Sequence, residues 1–248
     1  MKVRIANELP NVPIGLVRLL GKVLVSPEDK VGFTMYDFTL QPEDDFSFTA
    51  IYPDQNHIYY CVEGKCILHK SATETMVFTT DHVLAPTPES KVKLDIREPM
   101  RIVACSVPSD PSMSPVPFLM KNLSDVIDSD RNVFFERGYS RRFLAAPEGF
   151  NISVHNTLCH ANNSTRLHYQ HNVEAVYWIK GQGEYALQTG AQKHEFNPEK
   201  HRGTLFLLEN DAHVVKIGSA DSIAICLFFP ALKGNERLKF DQESGSSY

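Results

Sequence analysis

Short stretches in which Val, Ile, Phe and Tyr recur, bounded by Gly, Pro, Asp or Asn, dominate the chain. Such stretches predict β-strands. Many short strands at this spacing are typical of a β-sandwich or β-barrel. The predicted strands lie at Gly32–Leu40, His57–Val62, Lys91–Ile96, Arg101–Val107, Asn151–His155, Ala175–Ile179, Thr204–Leu208, Val214–Ile217 and Ser222–Phe229.

A single helix is predicted at Phe118–Asp128, where apolar residues recur at helical spacing. It follows the proline-rich run Pro108–Pro117. Proline supplies extended backbone that does not fit the interior of a sheet, so this run is predicted to be a linker.

The strand pattern of the first half recurs in the second half in the same order, at offsets of about 117 to 121 residues. A repeat of this length predicts two tandem domains rather than a solenoid. We assign residues 1–110 to a first domain, 111–139 to a linker with a short helix, and 140–248 to a second domain. The matching segments are His57–Gly64 with Glu174–Gly181, Val31–Tyr36 with Phe150–His155, and Arg101–Cys105 with Ser222–Cys226.

Composition narrows the range of partners. The chain has 248 residues, of which 42% are hydrophobic and 22% charged, and its formal net charge is -5. These values do not favour a nucleic acid or an anionic membrane as the partner. No apolar run predicts a signal peptide or a membrane span, so we expect a cytoplasmic protein. Five cysteines without a close-spaced pair are predicted to be core thiols.

Histidines concentrate in the second half, and imidazole and carboxylate are common ligands of transition metals. Glu174 lies seven residues before Gly181, and His213 lies ten residues after Gly203. These spacings match the two motifs of cupins. The predicted fold is therefore all-β, with two tandem cupin barrels of the double-stranded β-helix or jelly-roll type.

The first cupin motif is incomplete, because His168 and His171 do not have the usual spacing ahead of Glu174. Each histidine also has an ordinary interpretation, as a surface or hydrogen-bonded side chain, and we prefer that interpretation for His194 and His201. Glu174 directly precedes an apolar run, where an unpaired carboxylate is costly. Glu174 and His213 are therefore the strongest metal-ligand candidates.

The second half, from about Ser140 to Tyr248, resembles ectoine synthase, a metal-dependent cyclase with a single cupin domain. The segments that carry the resemblance are Leu167–Glu184, Phe228–Glu236 and Gly245–Tyr248. The first half resembles this family only through its similarity to the second.

The resemblance implies a reaction in which an acetylated diaminobutyrate closes to a cyclic amidine with loss of water. It implies Glu174 and His213 as metal ligands, and Thr157, Tyr169, Phe228 and Glu236 around the substrate. Arg142 matches a basic position expected to meet the substrate carboxylate. Glu174, Tyr169 and Glu236 are the candidate catalytic residues, and Fe(II) or Zn(II) is the expected cofactor.

Several residues depart from the family pattern. Phe206 stands where the family has a tyrosine ligand, Leu238 where it has a histidine, and Gly138 where it has a tryptophan. We expect a nearby histidine to take the third ligand position, with His171 first and His168 and His155 as alternatives. In the first half His57 matches Glu174 and Lys91 matches His213, so that copy is predicted to be scaffold.

The leading functional hypothesis is a metal-dependent cyclodehydratase or lyase that acts on a small amino-acid derivative such as N-acetyl-diaminobutyrate. One alternative is a cupin lyase, isomerase or dioxygenase with a rearranged metal site. Another is a non-catalytic bicupin that binds a small molecule, which fold alone does not exclude. The two halves are expected to form an intramolecular pseudo-dimer, or the chain to form a homodimer.

Overall fold

The computed structural model describes residues 1–15, 19–42, 44, 55–87, 90, 92–109, 116–135, 137–239 and 248. It divides into two compact units. We call residues Pro10–Leu123 the N-terminal unit, and residues Met1–Leu9 together with Ser124–Tyr248 the C-terminal unit.

Strands make up most of the described chain, and they are numbered in chain order. They are β1 (Lys2–Ile5), β2 (Val12–Ile14), β3 (Leu19–Val25), β4 (Thr34–Leu40), β5 (Gln55–Glu63), β6 (Lys65–His69), β7 (Thr75–Thr79), β8 (His82–Ala85), β9 (Lys93–Ile96), β10 (Met100–Pro108), β11 (Leu119–Asn122), β12 (Asn132–Phe134), β13 (Gly138–Leu144), β14 (Ser153–Cys159), β15 (Ser164–Leu167), β16 (Val173–Lys180), β17 (Gly183–Leu187), β18 (Lys193–Phe196), β19 (Thr204–Glu209), β20 (His213–Ile217) and β21 (Ser222–Phe229).

Helices are few and short. The described α-helices are α1 (Leu123–Ile127) and α2 (Pro198–His201), and single 3-10 turns lie at Ala6–Glu8, Pro27–Asp29 and Ala146–Glu148. Within the described ranges, no helix has the length and apolar character needed to cross a membrane.

The two units share the arrangement of their seven-stranded sheets, and each has a smaller second sheet. The C-terminal unit contains a seven-stranded sheet in the order β1-β19-β16-β21-β14-β13-β12 and a smaller sheet β15-β20-β17-β18. The N-terminal unit contains a seven-stranded sheet in the order β11-β8-β5-β10-β4-β3-β2 and a smaller sheet β7-β6-β9. All of these strand pairs are antiparallel. The all-β fold with two cupin barrels is therefore confirmed, and each predicted strand overlaps an observed one.

Each large sheet has one edge strand that belongs, by the sequence repeat, to the other half of the chain. Strand β1 pairs with β19, from Lys2 opposite Leu207 to Ile5 opposite Thr204. Strand β11 pairs with β8, from Leu119 opposite Ala85 to Asn122 opposite His82. Lys2 and Leu119 are 117 positions apart, which is the offset of the sequence repeat. The exchange is thus part of the duplicated pattern.

Some boundaries differ from the sequence predictions. The helix predicted at Phe118–Asp128 is wrong in its first half, because Leu119–Asn122 form β11 and only Leu123–Ile127 are helical. Hydrogen bonds to the distant strand β8 outweigh the local helical spacing there. Likewise, residues 1–9 join the C-terminal unit, whereas the sequence placed them in the domain at residues 1–110. Of the predicted linker run, residues 110–115 lie outside the described residues.

Buried side chains from both sheets fill the interior of each unit. The C-terminal interior is rich in aromatic rings, and the ring of Trp178 stacks on Phe196 with 4.0 Å between centroids. The N-terminal interior is mostly aliphatic and aromatic, with Phe38, Tyr59 and Phe78 among its buried residues. Burial of such side chains contributes about 2 kcal/mol each, which supplies the main stabilisation of both barrels.

Gly138 is required by close packing between β13 and β14. A Cβ atom at this position would overlap the backbone carbonyl oxygen of Leu158. Backbone cannot move aside as a flexible side chain can, so any larger residue forces the two strands apart.

We predict that Gly138→Ala lowers the free energy of unfolding by about 3 kcal/mol, because it overpacks the strand pair. Gly190→Ala is the matched control: Gly190 has a φ of 73° but nothing within 4 Å of its Cβ position, so its cost is about 1 kcal/mol. Urea denaturation followed by the fluorescence of Trp178, the single tryptophan of the chain, reports on the C-terminal unit. Equal costs for the two variants would contradict this explanation.

Candidate metal and substrate site

Two ionisable side chains meet in the interior of the C-terminal unit. Glu174 lies on β16 and His213 begins β20, and both are almost completely buried. Glu174 Oε2 and His213 Nε2 are 3.6 Å apart, which is too long for a hydrogen bond. Neither atom has a hydrogen-bond partner in the described part of the chain. Two facing donor atoms without partners are an arrangement that a cation would satisfy.

The other ring nitrogen of His213 fixes its tautomer. His213 Nδ1 lies 2.8 Å from the carbonyl oxygen of Asp211. A carbonyl only accepts, so Nδ1 carries the proton and donates it. Burial lowers the pKa of His213 to about 4, and the ring is therefore neutral with a lone pair on Nε2. This is the usual state of a metal-binding histidine, whose second nitrogen donates to a backbone carbonyl.

Burial has the opposite effect on the carboxyl group. It raises the pKa of Glu174 to about 8, so without a cation Glu174 is largely protonated at neutral pH. A nearby divalent cation favours the carboxylate and removes that penalty. The pair therefore has the chemistry of an incomplete ligand set, in which one imidazole and one carboxylate point at the same place.

The structure does not bring His171 to this pair. His171 is exposed in the turn before β16, and His168 is half-buried. Within the described ranges, no three His, Cys, Asp or Glu side chains are grouped so that they could hold one ion. A third protein donor from the described residues would be of another type.

A cavity of about 50 Å³ lies in the same unit, and Tyr169 on its wall is a ring neighbour of His213, although neither Glu174 nor His213 lines it. Three of the predicted substrate residues line it, namely Thr157, Tyr169 and Phe228. The ring of Tyr169 is 6.4 Å from that of His213 and stacks on Tyr248 at 5.3 Å. The rest of the wall is mixed apolar and polar, and it consists of Phe135, Arg137, Ser140, Cys159, Asn163, Thr165, Leu167, Val215, Ile217, Leu238 and Tyr248.

Arg142 and Glu236, two further predicted site residues, bind each other. Arg142 is fully buried and donates to Glu236 Oε2 at 3.2 Å and to the Glu236 carbonyl at 2.7 Å. Its guanidinium also lies 4.9 Å from the centroid of the Tyr248 ring. Partial burial acts to raise the pKa of Glu236, but backbone N–H groups, including those of Lys233 and Gly234, and the Arg142 charge lower it overall. Glu236 is thus held as a carboxylate.

His155 is an interior residue whose surroundings the sequence did not predict. Its Nδ1 is 3.0 Å from Ser140 Oγ, and its Nε2 has no partner among the described residues. Its ring is 5.1 Å from that of Phe228. Burial, with the charges of Arg142 and Arg131, lowers the pKa of His155, which keeps it neutral.

Tyr185 is a second residue of the site that sequence reasoning missed. It lies on β17, is buried, and stacks almost parallel to Phe206 and to His213, with centroids 4.2 Å and 5.3 Å away. The alternation along Gly183–Leu187 was the signal available in the sequence, since it places Tyr185 on the inward face of a strand.

Comparison with known proteins identifies this unit. The family model described as ectoine synthase matches residues 118–246, just over half of the chain. The chain belongs to the ectoine synthase family. The L-ectoine synthase of Wolinella succinogenes is 35% identical over 121 residues, which are 48% of this chain and 88% of that enzyme. That of Hahella chejuensis is 34% identical over 119 residues, again 48% of this chain and 86% of that enzyme.

Similarity over the whole length is to two-barrel structures and concerns the fold alone. The protein Ylba from E. coli superposes with a TM-score of 0.68 at 15% identity and covers 96% of this chain and 92% of its own. Thus the similarity to ectoine synthase covers the C-terminal half of the chain, and the similarity in fold covers nearly all of it.

Two departures from the ectoine synthase pattern lie in the site itself. Phe206 is fully buried on β19 beside Tyr185 and offers no donor atom. Leu238 lines the cavity where the family has a histidine. All five cysteines are unpaired, and burial raises the pKa of Cys159, on the cavity wall, to about 12, so that it remains a thiol.

Among its described residues, the N-terminal unit has no equivalent of this pair. At the position of Glu174 it carries His57, whose Nδ1 is 2.8 Å from Ser106 Oγ. Lys91, matched to His213 in sequence, lies outside the described residues. A histidine already bound to a serine, in an interior filled with apolar side chains, is consistent with a scaffold role for this unit.

We predict that the stability of chelator-treated protein falls between pH 6.5 and 8. In this window the folded state keeps a proton on Glu174 that the unfolded state has lost, because the pKa is about 8 when folded and near 4.5 when unfolded. His213, lowered to about 4, has the opposite effect, but only below its unfolded value of 6.5. We expect the free energy of unfolding to drop by about 1 to 2 kcal/mol.

Urea denaturation at a series of pH values, followed by Trp178 fluorescence, measures this drop. Glu174→Gln removes the ionisable group and keeps the shape, so its stability should be flat across the window. A Gln variant with the same slope as the wild type would show that another group is responsible.

Proposed function

We propose that the C-terminal unit is a metal-dependent cyclodehydratase that closes a small N-acetylated diamino acid, such as N-acetyl-diaminobutyrate, to a cyclic amidine with loss of water. The observation that carries this proposal is the buried pair of donor atoms, Glu174 Oε2 and His213 Nε2, which the ring of Tyr169 connects to a cavity that Thr157 and Phe228 also line. Membership of the ectoine synthase family supports the reaction class.

The residues present fit a divalent transition metal in their donor chemistry. Glu174 and His213 would hold it, and a carboxylate with an imidazole suits Fe(II) or Zn(II). When bound, such an ion supplies Lewis acidity toward the amide oxygen of the substrate. The side chains of the unit have to supply the rest, which is proton transfer and substrate binding.

The cyclisation needs proton transfers at two atoms. The free amine of the substrate attacks its own amide carbon, forms the new C–N bond and loses its protons, while the amide oxygen gains two protons and leaves as water. Burial raises the pKa of Tyr169, so its hydroxyl keeps its proton and donates toward the departing oxygen. Glu236, held as a carboxylate, accepts a proton from the amine.

Binding also requires space and a partner for the substrate carboxylate. The cavity of about 50 Å³ is much smaller than the roughly 300 Å³ or more of a typical ligand pocket. Tyr248 occupies the adjoining space and covers the Arg142 guanidinium. We expect Tyr248 to move aside when substrate binds, which frees N–H groups of Arg142 for the carboxylate. Phe228 then provides an apolar wall that limits access of water.

Incubation of iron- or zinc-loaded protein with N-acetyl-diaminobutyrate, with product detection by NMR, tests the proposal. We expect the cyclic product from the wild type, and at least a roughly 100-fold loss of rate with Glu174→Ala or His213→Ala. Both variants should also lose stoichiometric metal. His194→Ala and Glu195→Ala are matched controls, since these residues are exposed on β18 of the same unit, and they should leave rate and metal content unchanged.

The outcomes separate the parts of the proposal. Metal bound through Glu174 and His213 without formation of the cyclic product would contradict the substrate and favour another cupin reaction. Wild-type protein that binds no metal would contradict metal dependence and favour a small-molecule-binding role.

A further inference from the structure

One arginine lies on the wall of the cavity, in the segment that joins β12 to β13. Arg137 is half-buried there, and it is the one charged side chain among the described residues that line the cavity. The other lining residues are apolar or carry neutral polar groups. A single positive charge on such a wall favours a ligand with an anionic group.

The local structure holds Arg137 in place. Its backbone N–H donates to the Phe135 carbonyl at 2.7 Å, and its own carbonyl accepts from the N–H of His160 at 2.9 Å. Its side-chain Nη1 donates to Asn163 Oδ1 at 3.1 Å. Asn163 is fixed in turn, because its Nδ2 donates to the carbonyl oxygens of His160 and Ala161. The guanidinium is therefore ordered before a ligand binds, which lowers the entropy cost of binding.

The charge of Arg137 is not paired with a carboxylate of any described residue. Other arginines of the C-terminal unit do have such a partner. Arg131 pairs with Glu148 at 2.8 Å. Arg142 pairs with Glu236 at 3.2 Å. Arg137 instead donates to a neutral amide, so its charge remains for a ligand to balance.

The N–H groups of Arg137 that remain indicate the kind of anion. Its Nη1 bonds to Asn163, whereas Nε and Nη2 make no hydrogen bond to a described residue. Nε and Nη2 carry two parallel N–H groups along one edge of the guanidinium, and this edge matches the two oxygens of a carboxylate. A carboxylate is therefore the anion that fits.

Arg137 and Arg142 are placed to bind different groups of one ligand. The extended backbone from Gly138, next to Arg137, to Arg142 spans roughly 13 Å. The proposed function assigns Arg142 to the carboxylate of the diamino acid, so Arg137 is left for a second acidic group. The substrate amine and the amide carbon react with each other, and neither can carry that group. The acyl chain is the remaining part of the molecule.

We infer that Arg137 binds a carboxylate at the end of the substrate's acyl chain, so that the unit prefers a diamino acid acylated by a dicarboxylic acid over the N-acetyl compound. The ring closure is the same for both, and the acyl carboxylate stays unchanged on the product. The inference rests on the proposed cyclodehydratase function and names the substrate class for it.

Competition between N-succinyl- and N-acetyl-diaminobutyrate on metal-loaded protein tests the preference. The wild type should convert the succinyl compound with a kcat/KM at least about tenfold higher, the lower end of the gain from a hydrogen bond between charged groups. Arg137→Gln should lose this preference through a higher KM for the succinyl compound. Arg137→Lys keeps the charge without the paired N–H groups and should retain part of it. Arg166→Gln, at an exposed position of β15, is the matched control and should keep it.

Binding can also be measured without turnover. Isothermal titration calorimetry of the chelator-treated full chain with each compound gives the ratio of their affinities. We expect the wild type to bind the succinyl compound at least about tenfold more tightly, and Arg137→Gln to bind both compounds alike. Urea denaturation followed by Trp178 fluorescence checks that each variant is folded.

The outcomes separate this inference from the proposed function. Equal binding and equal turnover of the two compounds by the wild type would overturn the inference and leave the proposed function standing. A preference that survives in Arg137→Gln, or that Arg166→Gln loses to the same extent, would also overturn it. Binding preference that depends on Arg137, without cyclic product, would support the carboxylate site and contradict the proposed function. Binding of neither compound would contradict both.

Discussion

Glu174 and His213 are buried side by side in the C-terminal unit, and the two atoms that face each other have no hydrogen-bond partner among the described residues. Burial of both groups without partners is unfavourable, and their opposite pKa shifts show how strongly each charged form is disfavoured. The aromatic rings around them exclude water and hold them in place. The interior is therefore stable only as a neutral pair or around a cation that both residues bind.

The two barrels differ in the residues that occupy matching interior positions. At the position of Glu174 the N-terminal unit has His57, which is already bound to Ser106, and its interior is filled with apolar side chains. Such an interior gains its stability from packing. Among the described residues, the buried pair of ionisable groups thus lies in the C-terminal unit, and the position that matches Glu174 in the N-terminal unit is taken by a histidine bound to a serine.

Sequence periodicity was sufficient for the fold class and for the strands that form the centre of each large sheet. Among the strands that it missed are β1 and β11. Each is an edge strand that forms by pairing with a strand elsewhere in the chain, β1 with β19 and β11 with β8, and has no local pattern of its own. Motif spacing identified Glu174 and His213 as ligand candidates, because Glu174 lies at a fixed distance before Gly181 and His213 at a fixed distance after Gly203. Spacing did not show that His171 would be exposed or that Tyr185 would stack on Phe206, because both depend on how neighbouring strands pack.

The exchange of β1 and β11 gives the chain a property that a simple pair of tandem domains lacks. A cut at the boundary of the sequence repeat, just before Leu119, would leave the first part without β11 and the second part without β1, and would expose β8 and β19 along their hydrogen-bonding edges. Neither repeat, cut at that boundary, is then a complete barrel. The boundary of the duplicated sequence and the boundary of the folded unit therefore lie at different places in the chain.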